Sequence, residues 1–174
     1  MKIFKETQRL RIRRFDENDF ENMLELDSDP DVMKYISGGK TTPPEEMKNI
    51  LARTLIRYDE WKVYGVWAVE LKDSGEFMGW VSLKPLPGTE EIEVGYRFRK
   101  KFWGKGFATE AATAMMSYGF NELKMSKIVA ITDPENRASK NVLQKVGLKY
   151  VDDRTYVSSP TAQPRTVSWF EAYQ

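Results

Sequence analysis

Apolar and charged positions alternate in Leu10-Arg11-Ile12-Arg13-Arg14-Phe15, the period of a half-buried strand. Asp16 to Asp29 then places Phe20, Met23, Leu24 and Asp27 at helical spacing, with acidic residues early, where they suit a helix start. Pro30 interrupts that run, and Val32, Met33 and Ile36 predict a short second helix before the flexible Ser37-Gly38-Gly39-Lys40 loop. Thr42-Pro43-Pro44-Glu45 reads as a capping box with proline at the first helical position. Met47, Ile50, Leu51, Leu55 and Tyr58 continue the helix behind it.

The period then changes. Tyr64 to Leu71 and Phe77 to Lys84 read as two strands around the turn Asp73-Ser74-Gly75-Glu76. Pro85-Leu86-Pro87-Gly88 is a second turn, and Ile92 to Phe98 a third strand. Helical spacing returns from Ala108 to Leu123, and a short strand follows at Ile128 to Ile131. Asn136 to Val146 is a further helix that Gly147 ends as a C-cap glycine. Leu148 to Val151 and Thr166 to Ala172 are expected closing strands around a Ser/Pro-containing loop, Ser158 to Pro164. The order β-α-α-β-β-β-α-β-α-β-β describes one mixed α/β (α+β) domain over residues 1–174, with no repeat or linker.

Composition narrows the chemistry. The 174 residues are 41% hydrophobic and 13% aromatic, enough apolar material for one core. Lys and Arg number 27 against 26 Asp and Glu, so no overall field recommends a nucleic-acid or acidic-membrane partner. Cysteine and histidine are both absent, which removes thiolate nucleophiles, Ser-His-Asp and Cys-His mechanisms, and sulfur- or imidazole-held metals. Any enzyme built here works with carboxylates, hydroxyls, Lys, Arg, backbone amides or a cofactor, and no metal is expected. Residues 1–14 lack the apolar core of a signal peptide, and the longest uncharged apolar run, Val63 to Val69, is far short of the ~20 residues of a membrane helix. A cytoplasmic location is the expectation.

The most informative stretch runs Arg97-Phe98-Arg99-Lys100-Lys101-Phe102-Trp103-Gly104-Lys105-Gly106-Phe107-Ala108-Thr109-Glu110-Ala111: a strand end, a basic loop with two glycines, and a small-residue helix start. The first helical N–H groups lack intrahelical partners and carry the positive end of the macrodipole, which makes an anion site. Gly104 and Gly106 admit a phosphate to backbone amides, with Arg99, Lys100, Lys101 and Lys105 expected to supply charge. A solvated basic turn capping an ordinary helix has the same composition. A Walker loop does not fit, because Phe107 follows Gly106, and the dinucleotide fingerprint lacks its third glycine and its βαβ context.

Lys101-Phe102-Trp103-Gly104-Lys105-Gly106, followed by Phe107-Ala108-Thr109-Glu110-Ala111, resembles the pyrophosphate-binding signature Gln/Arg-x-x-Gly-x-Gly/Ala of the GNAT N-acetyltransferases. The tryptophan before the first glycine and the Ala-Thr-Glu-Ala after the second are similar to the branch holding the ribosomal-protein N-terminal (alanine/serine) acetyltransferases. Asn136-Arg137-Ala138-Ser139-Lys140-Asn141-Val142-Leu143-Gln144-Lys145-Val146-Gly147-Leu148 resembles that branch's Asn-x-x-Ser-x-x-x-x-x-Lys-x-Gly-Phe, and Arg9-Leu10-Arg11-Ile12-Arg13 its opening strand.

The resemblance implies a GNAT-like domain, with a mixed, mostly antiparallel central sheet flanked by helices on both faces. It implies acetyl-CoA as acetyl donor. Trp103, Gly104, Lys105, Gly106, Phe107, Ala108 and Thr109, with Lys101, would hold the pyrophosphate. Val94, Gly95, Tyr96, Arg97 and Phe98 would pair with the pantetheine arm, and Asn136, Ser139 and Asn141 would lie near it. Asn136 is equally read as a helix N-cap and Ser139 as a solvent-facing hydroxyl. Leu143 stands where many members carry a tyrosine general acid, so that role falls to Ser139, to water or to no residue.

The family transfers acetyl directly to an amine, and without cysteine no acetyl-cysteine intermediate can form. The expected catalytic residues are Glu93 as base and Ser139. Glu93 shares a strand face with Glu91 and Gly95, and burial beside Glu91 is expected to raise its pKa; an exposed strand glutamate is the bland alternative. Glu90, Glu91, Asp152 and Asp153 are candidates for an acidic lip, and Tyr35, Trp61, Trp67, Trp80 and Tyr96 for an acceptor pocket, although aromatics at such spacing are more often core. The acceptor is an amine of unidentified kind, a protein N-terminus or a small molecule, and a homodimer through the edge of the C-terminal strand is a further expectation. A non-catalytic acyl-CoA sensor would keep the glycine loop but not need Glu93.

Overall fold

The alternating stretch at Leu10 does form a strand, but it is the second. In the computed structural model, which describes residues 2–174, β1 (Ile3–Glu6) and β2 (Leu10–Arg14) make an antiparallel pair. Three helices follow, α1 (Phe20–Asp27), α2 (Pro30–Ser37) and α3 (Pro44–Trp61), each on a segment whose spacing predicts a helix, although the summarised order counts only two. Then come β3 (Gly65–Leu71), β4 (Phe77–Pro85), β5 (Ile92–Phe98), α4 (Phe107–Ser117), β6 (Lys127–Thr132), α5 (Arg137–Lys145), β7 (Lys149–Tyr156) and β8 (Arg165–Tyr173). All eight strands form one sheet in the order β1-β2-β3-β4-β5-β6-β8-β7.

Every strand pair is antiparallel except β5–β6, and that junction is the fold's main irregularity. β5 pairs with β4 from Ile92 to Phe98, yet it meets β6 at one position only, Glu93 opposite Val129. Beyond that point the two strands diverge.

Helices cover both faces. On one, Tyr58 of α3 accepts a hydrogen bond from the Phe15 amide at 2.9 Å and donates to the Val66 carbonyl. Arg13, a charged position of the alternating strand, is only 6% exposed there: it bonds Asp19 and Glu70 at 2.7 and 2.6 Å and ties β2 to β3 and to the turn before α1. Removing one member of such a buried network costs about 3–5 kcal/mol. On the other face α4 packs against β4, β5 and β2. Its last turn widens into a π-turn, Tyr118–Glu122, instead of staying α-helical to Leu123. A side chain at Gly119 would meet Ile128 Cδ1 at 2.5 Å, so the bare backbone is what lets this turn lie on the sheet.

Two further expectations are corrected. No capping box forms at Thr42: Pro43 is the N-cap of α3 without a side-chain bond, and the Thr42 hydroxyl donates to Asp27 instead, at 3.1 Å. The box chemistry appears earlier, where Asp16 and Asp19 cap each other's backbone. The C-terminal strand β8 offers no free edge, because β6 and β7 flank it; the edge belongs to β7. Gly147 does end α5, with φ of 98° and the Leu148 amide bonded back to Leu143. A second small core of Leu86, Val129, Tyr156, Val167 and Trp169 supports the β6–β8 wing.

Candidate active site

β5 runs into a 3₁₀ turn, Lys100–Phe102, and then into the glycine loop. Gly104 and Gly106 have φ of 73° and 79°, the left-handed region that other residues enter at a cost. Gly106 is the N-cap of α4 and contributes no side-chain cap. Among the described residues, the backbone amides of Gly104, Lys105, Gly106, Phe107, Ala108 and Thr109 find no acceptor within the chain. Unpaired amides at the positive end of a helix are what an anion requires.

The basic side chains of the loop are largely engaged elsewhere. Arg99 pairs with Glu25 at 2.7 Å, Lys100 with Asp31 at 2.5 Å, and Lys101 with Glu76. Lys105 makes no ion pair among the described residues. What the loop offers an anion is therefore mainly backbone, and the expected screen of four cations is mostly spent on neighbouring carboxylates. Trp103 is half exposed, and its indole N–H donates to the Phe98 carbonyl at 2.7 Å, which fixes the loop to the strand end.

Next to this loop lies the unpaired edge of β5. From Val94 to Phe98 the strand has no β6 partner, so apart from the Phe98 carbonyl that Trp103 occupies, its outward edge is open to an extended ligand. The stretch from Glu93 to Phe98 spans about 17 Å at ~3.4 Å per residue.

α5 borders the same gap. Asn136 is its N-cap, with Oδ1 accepting from the Ser139 amide at 3.0 Å, so the capping role is realised. The Tyr96 hydroxyl lies 3.1 Å from Ser139 Oγ and 3.2 Å from the Ser139 carbonyl. Burial pushes the Tyr96 phenol up to about 12, against the opposing bond to Ser139. Asn141 is exposed, and Leu143 is 2% exposed within the core.

At the other end of β5, Glu93 and Lys84 are cross-strand neighbours joined at 2.9 Å. Glu91 is held by Lys127 at 2.7 Å, so the charge that meets Glu93 is a lysine rather than the expected glutamate. The acidic lip is likewise divided: Arg154 takes Asp152, the Ser168 hydroxyl donates to Asp153, and Glu90 is exposed. The five aromatics do not share a pocket. Trp67 is buried against Phe4 at 4.4 Å on the α4 face, and Tyr96 reaches α5. Trp80 lies on the opposite face beside Arg97, which pairs with Asp27. Trp61 and Tyr35 stack with Arg57 and Lys34, their helix neighbours.

One group of residues in the site carries no local signal in the sequence: Thr7, Arg9 and Glu110. Glu110 accepts hydrogen bonds from the Thr7 hydroxyl, the Arg9 amide and Arg9 Nε at 2.6, 2.9 and 2.7 Å. Burial alone pushes its carboxyl upward, but these bonds prevail and hold it below the usual range. The opening Thr-x-Arg and the helix's Ala-Thr-Glu-Ala are thus two halves of one contact, and their separation by more than 90 positions hid it. Among the described residues, no His/Cys/Asp/Glu group is placed to hold a metal, and no helix is long and apolar enough to cross a membrane.

Comparison with known proteins supplies the family. The model of the acetyltransferase (GNAT) domain matches residues 9–149. The chain is 37% identical to protein YkkB of Bacillus subtilis over 83% of its length and 84% of that relative. It is 33% identical to FsC-acetyl coenzyme A-N(2)-transacetylase of Aspergillus fumigatus, over 74% of this chain and 57% of that one. The solved RimL ribosomal L7/L12 alpha-N-protein acetyltransferase in complex with coenzyme A shares the fold, with a TM-score of 0.81 across 99% of this chain and 98% of that one, at 15% identity. The expected fold and the expected family both hold: this chain is an acetyltransferase and belongs to the GNAT family.

Proposed function

We propose that this acetyltransferase uses acetyl-CoA and transfers its acetyl group directly to a primary amine. The observation that carries this reading is the continuity of the unpaired amides of Gly104–Thr109 with the unpaired edge of Val94–Phe98. The first suits a pyrophosphate and the second an extended amide-bearing arm, in the order in which coenzyme A presents them. Acetyl-CoA dependence is general for the family, and one relative's name contains the same donor and a nitrogen acceptor.

The arm would bring the thioester to the Glu93 end of β5, where the strands separate. Backbone N–H groups near Val94 to Tyr96 would polarise the carbonyl, while the acceptor nitrogen is held about 3 Å away. An alkylammonium must lose a proton before it attacks, and Glu93 is the base, directly or through water. An ammonium acceptor entering here meets a carboxylate already paired with Lys84, so the acceptor displaces that lysine or shares the carboxylate with it. The departing thiolate needs no strong acid, and Ser139, set beside Tyr96, is the available hydroxyl donor. The amine is a protein N-terminus or a small molecule.

Calorimetric titration with acetyl-CoA, together with free-thiol release across a panel of amines, tests the reading. Saturable one-site binding that is lost in Gly104→Asp/Gly106→Asp supports it. Binding with no transfer to any amine makes the chain an acyl-CoA sensor. No binding by folded protein overturns the donor assignment.

A further inference from the structure

Arg9 lies at the turn between β1 and β2, distant in sequence from the glycine loop, yet its guanidinium is built into that loop. Nη1 donates to the Lys105 carbonyl at 3.0 Å, and Nε donates to Glu110 at 2.7 Å. The guanidinium carbon lies 4.3 Å from the centre of the Phe107 ring, and Nη2 is 3.5 Å from where a Gly106 side chain would begin. The Arg9 amide also bonds Glu110, so the backbone and side chain of one residue grip the first turn of α4.

The consequence follows from the peptide plane. The Lys105 carbonyl and the Gly106 N–H belong to one trans unit and point in opposite directions. Holding that carbonyl against Arg9 therefore turns the Gly106 N–H to the other side, among the unpaired amides of the loop. A flipped unit would place a carbonyl oxygen there and repel an anion. Because Gly106 has no side chain to restrain it, the unit needs an external hold.

We infer that Arg9 is a positioning residue for the donor site: by clamping the Lys105 carbonyl, with Glu110 as its anchor, it aims the Gly106 amide at the phosphate-binding position. This rests on the coenzyme A reading above. The planar fork is what spans Lys105 and Glu110 together, so a lysine at this position keeps the charge and loses the clamp. Lys100 and Lys101, paired with Asp31 and Glu76, do not serve this purpose.

The test compares Arg9→Lys and Arg9→Gln with the parent. In ligand-free protein, NMR should show the Lys105 carbonyl carbon and the Gly106 amide shifting in both variants, with a changed Gly106 N–H orientation by residual dipolar coupling. Calorimetry with acetyl-CoA should show both variants weakened about tenfold, the scale of one charge-assisted hydrogen bond. For an amine that the parent accepts, kcat should change less than twofold. Arg9→Lys binding as tightly as the parent while Arg9→Gln fails would mean that charge alone matters, and the clamp is overturned. Unmoved Lys105 and Gly106 resonances overturn it as well. Should both variants unfold, Glu110→Gln removes the anchor and must produce the same shifts in weaker form. Failure of the parent to bind acetyl-CoA counts against the donor reading, whereas the ligand-free NMR result judges the clamp separately.

Discussion

The two ends of β5 present their chemistry in different ways. At the Phe98 end, the groups on offer are backbone amides, oriented by two glycines and the start of α4. At the Glu93 end they are side chains, Glu93 with Lys84 and Glu91 with Lys127, brought together by strand register. A backbone site tolerates most substitutions and fails where the peptide units are re-aimed. A side-chain site fails when one functional group is exchanged.

Glu93→Gln breaks this contrast most severely. It should lower kcat by about 10²–10⁴-fold, the usual weight of a general base, and leave acetyl-CoA affinity within twofold. Equal losses in binding and turnover, or none in either, would remove Glu93 from the role.

A smaller effect is expected at Asn136, whose cap orders the Ser139 turn. Asn136→Ala should cost about 1 kcal/mol in denaturant unfolding. An unchanged midpoint would mean the cap contributes nothing, and that Ser139 is positioned through Tyr96 alone.

Alkaline titration sharpens the same region. Burial raises the Tyr58 and Tyr96 phenols from an ordinary 10.0 to about 12. Their folded pKa lies above the unfolded one, so the stability they contribute is complete below pH 10 and is lost as pH rises through about 12. Tyrosinate absorbance should show a late step that Tyr96→Phe diminishes; ionisation of every phenol near 10 would contradict the burial.

The smallest change belongs to Lys101. It pairs with Glu76 and is 53% exposed, so Lys101→Ala should alter acetyl-CoA affinity less than threefold at physiological salt. A tenfold loss would mean that the lysine leaves Glu76 for the phosphates.

How far the chain could be read in advance depended on the range of the interactions involved. Ile92–Phe98 was delimited to the residue because an alternating strand and its flanking turns are local features. β1 escaped because four residues, Ile3–Glu6, carry too little period to be recognised without their partner. The turn at Thr42 misled because its hydroxyl had a nearer-matched acceptor in Asp27, fifteen positions away. In the site, the glycine loop and the Asn136 cap were legible, since both are contiguous motifs. The pairing of Lys84 with Glu93, the occupation of Arg99, Lys100 and Lys101 by carboxylates, and the Arg9–Glu110 contact were not.

By itself, the sequence determined the strands and helices from Leu10 onward, the glycine loop before a helix start, and the exclusion of thiol and imidazole chemistry. These rest on residue type and near-neighbour spacing. Only the tertiary structure decided that β5 parts from β6 after Glu93, that β8 is enclosed while β7 forms the edge, and which cations remain free beside the loop. Those outcomes depend on which distant side chains reach each other first, because charges and strand edges take their partners in space, not in order along the chain.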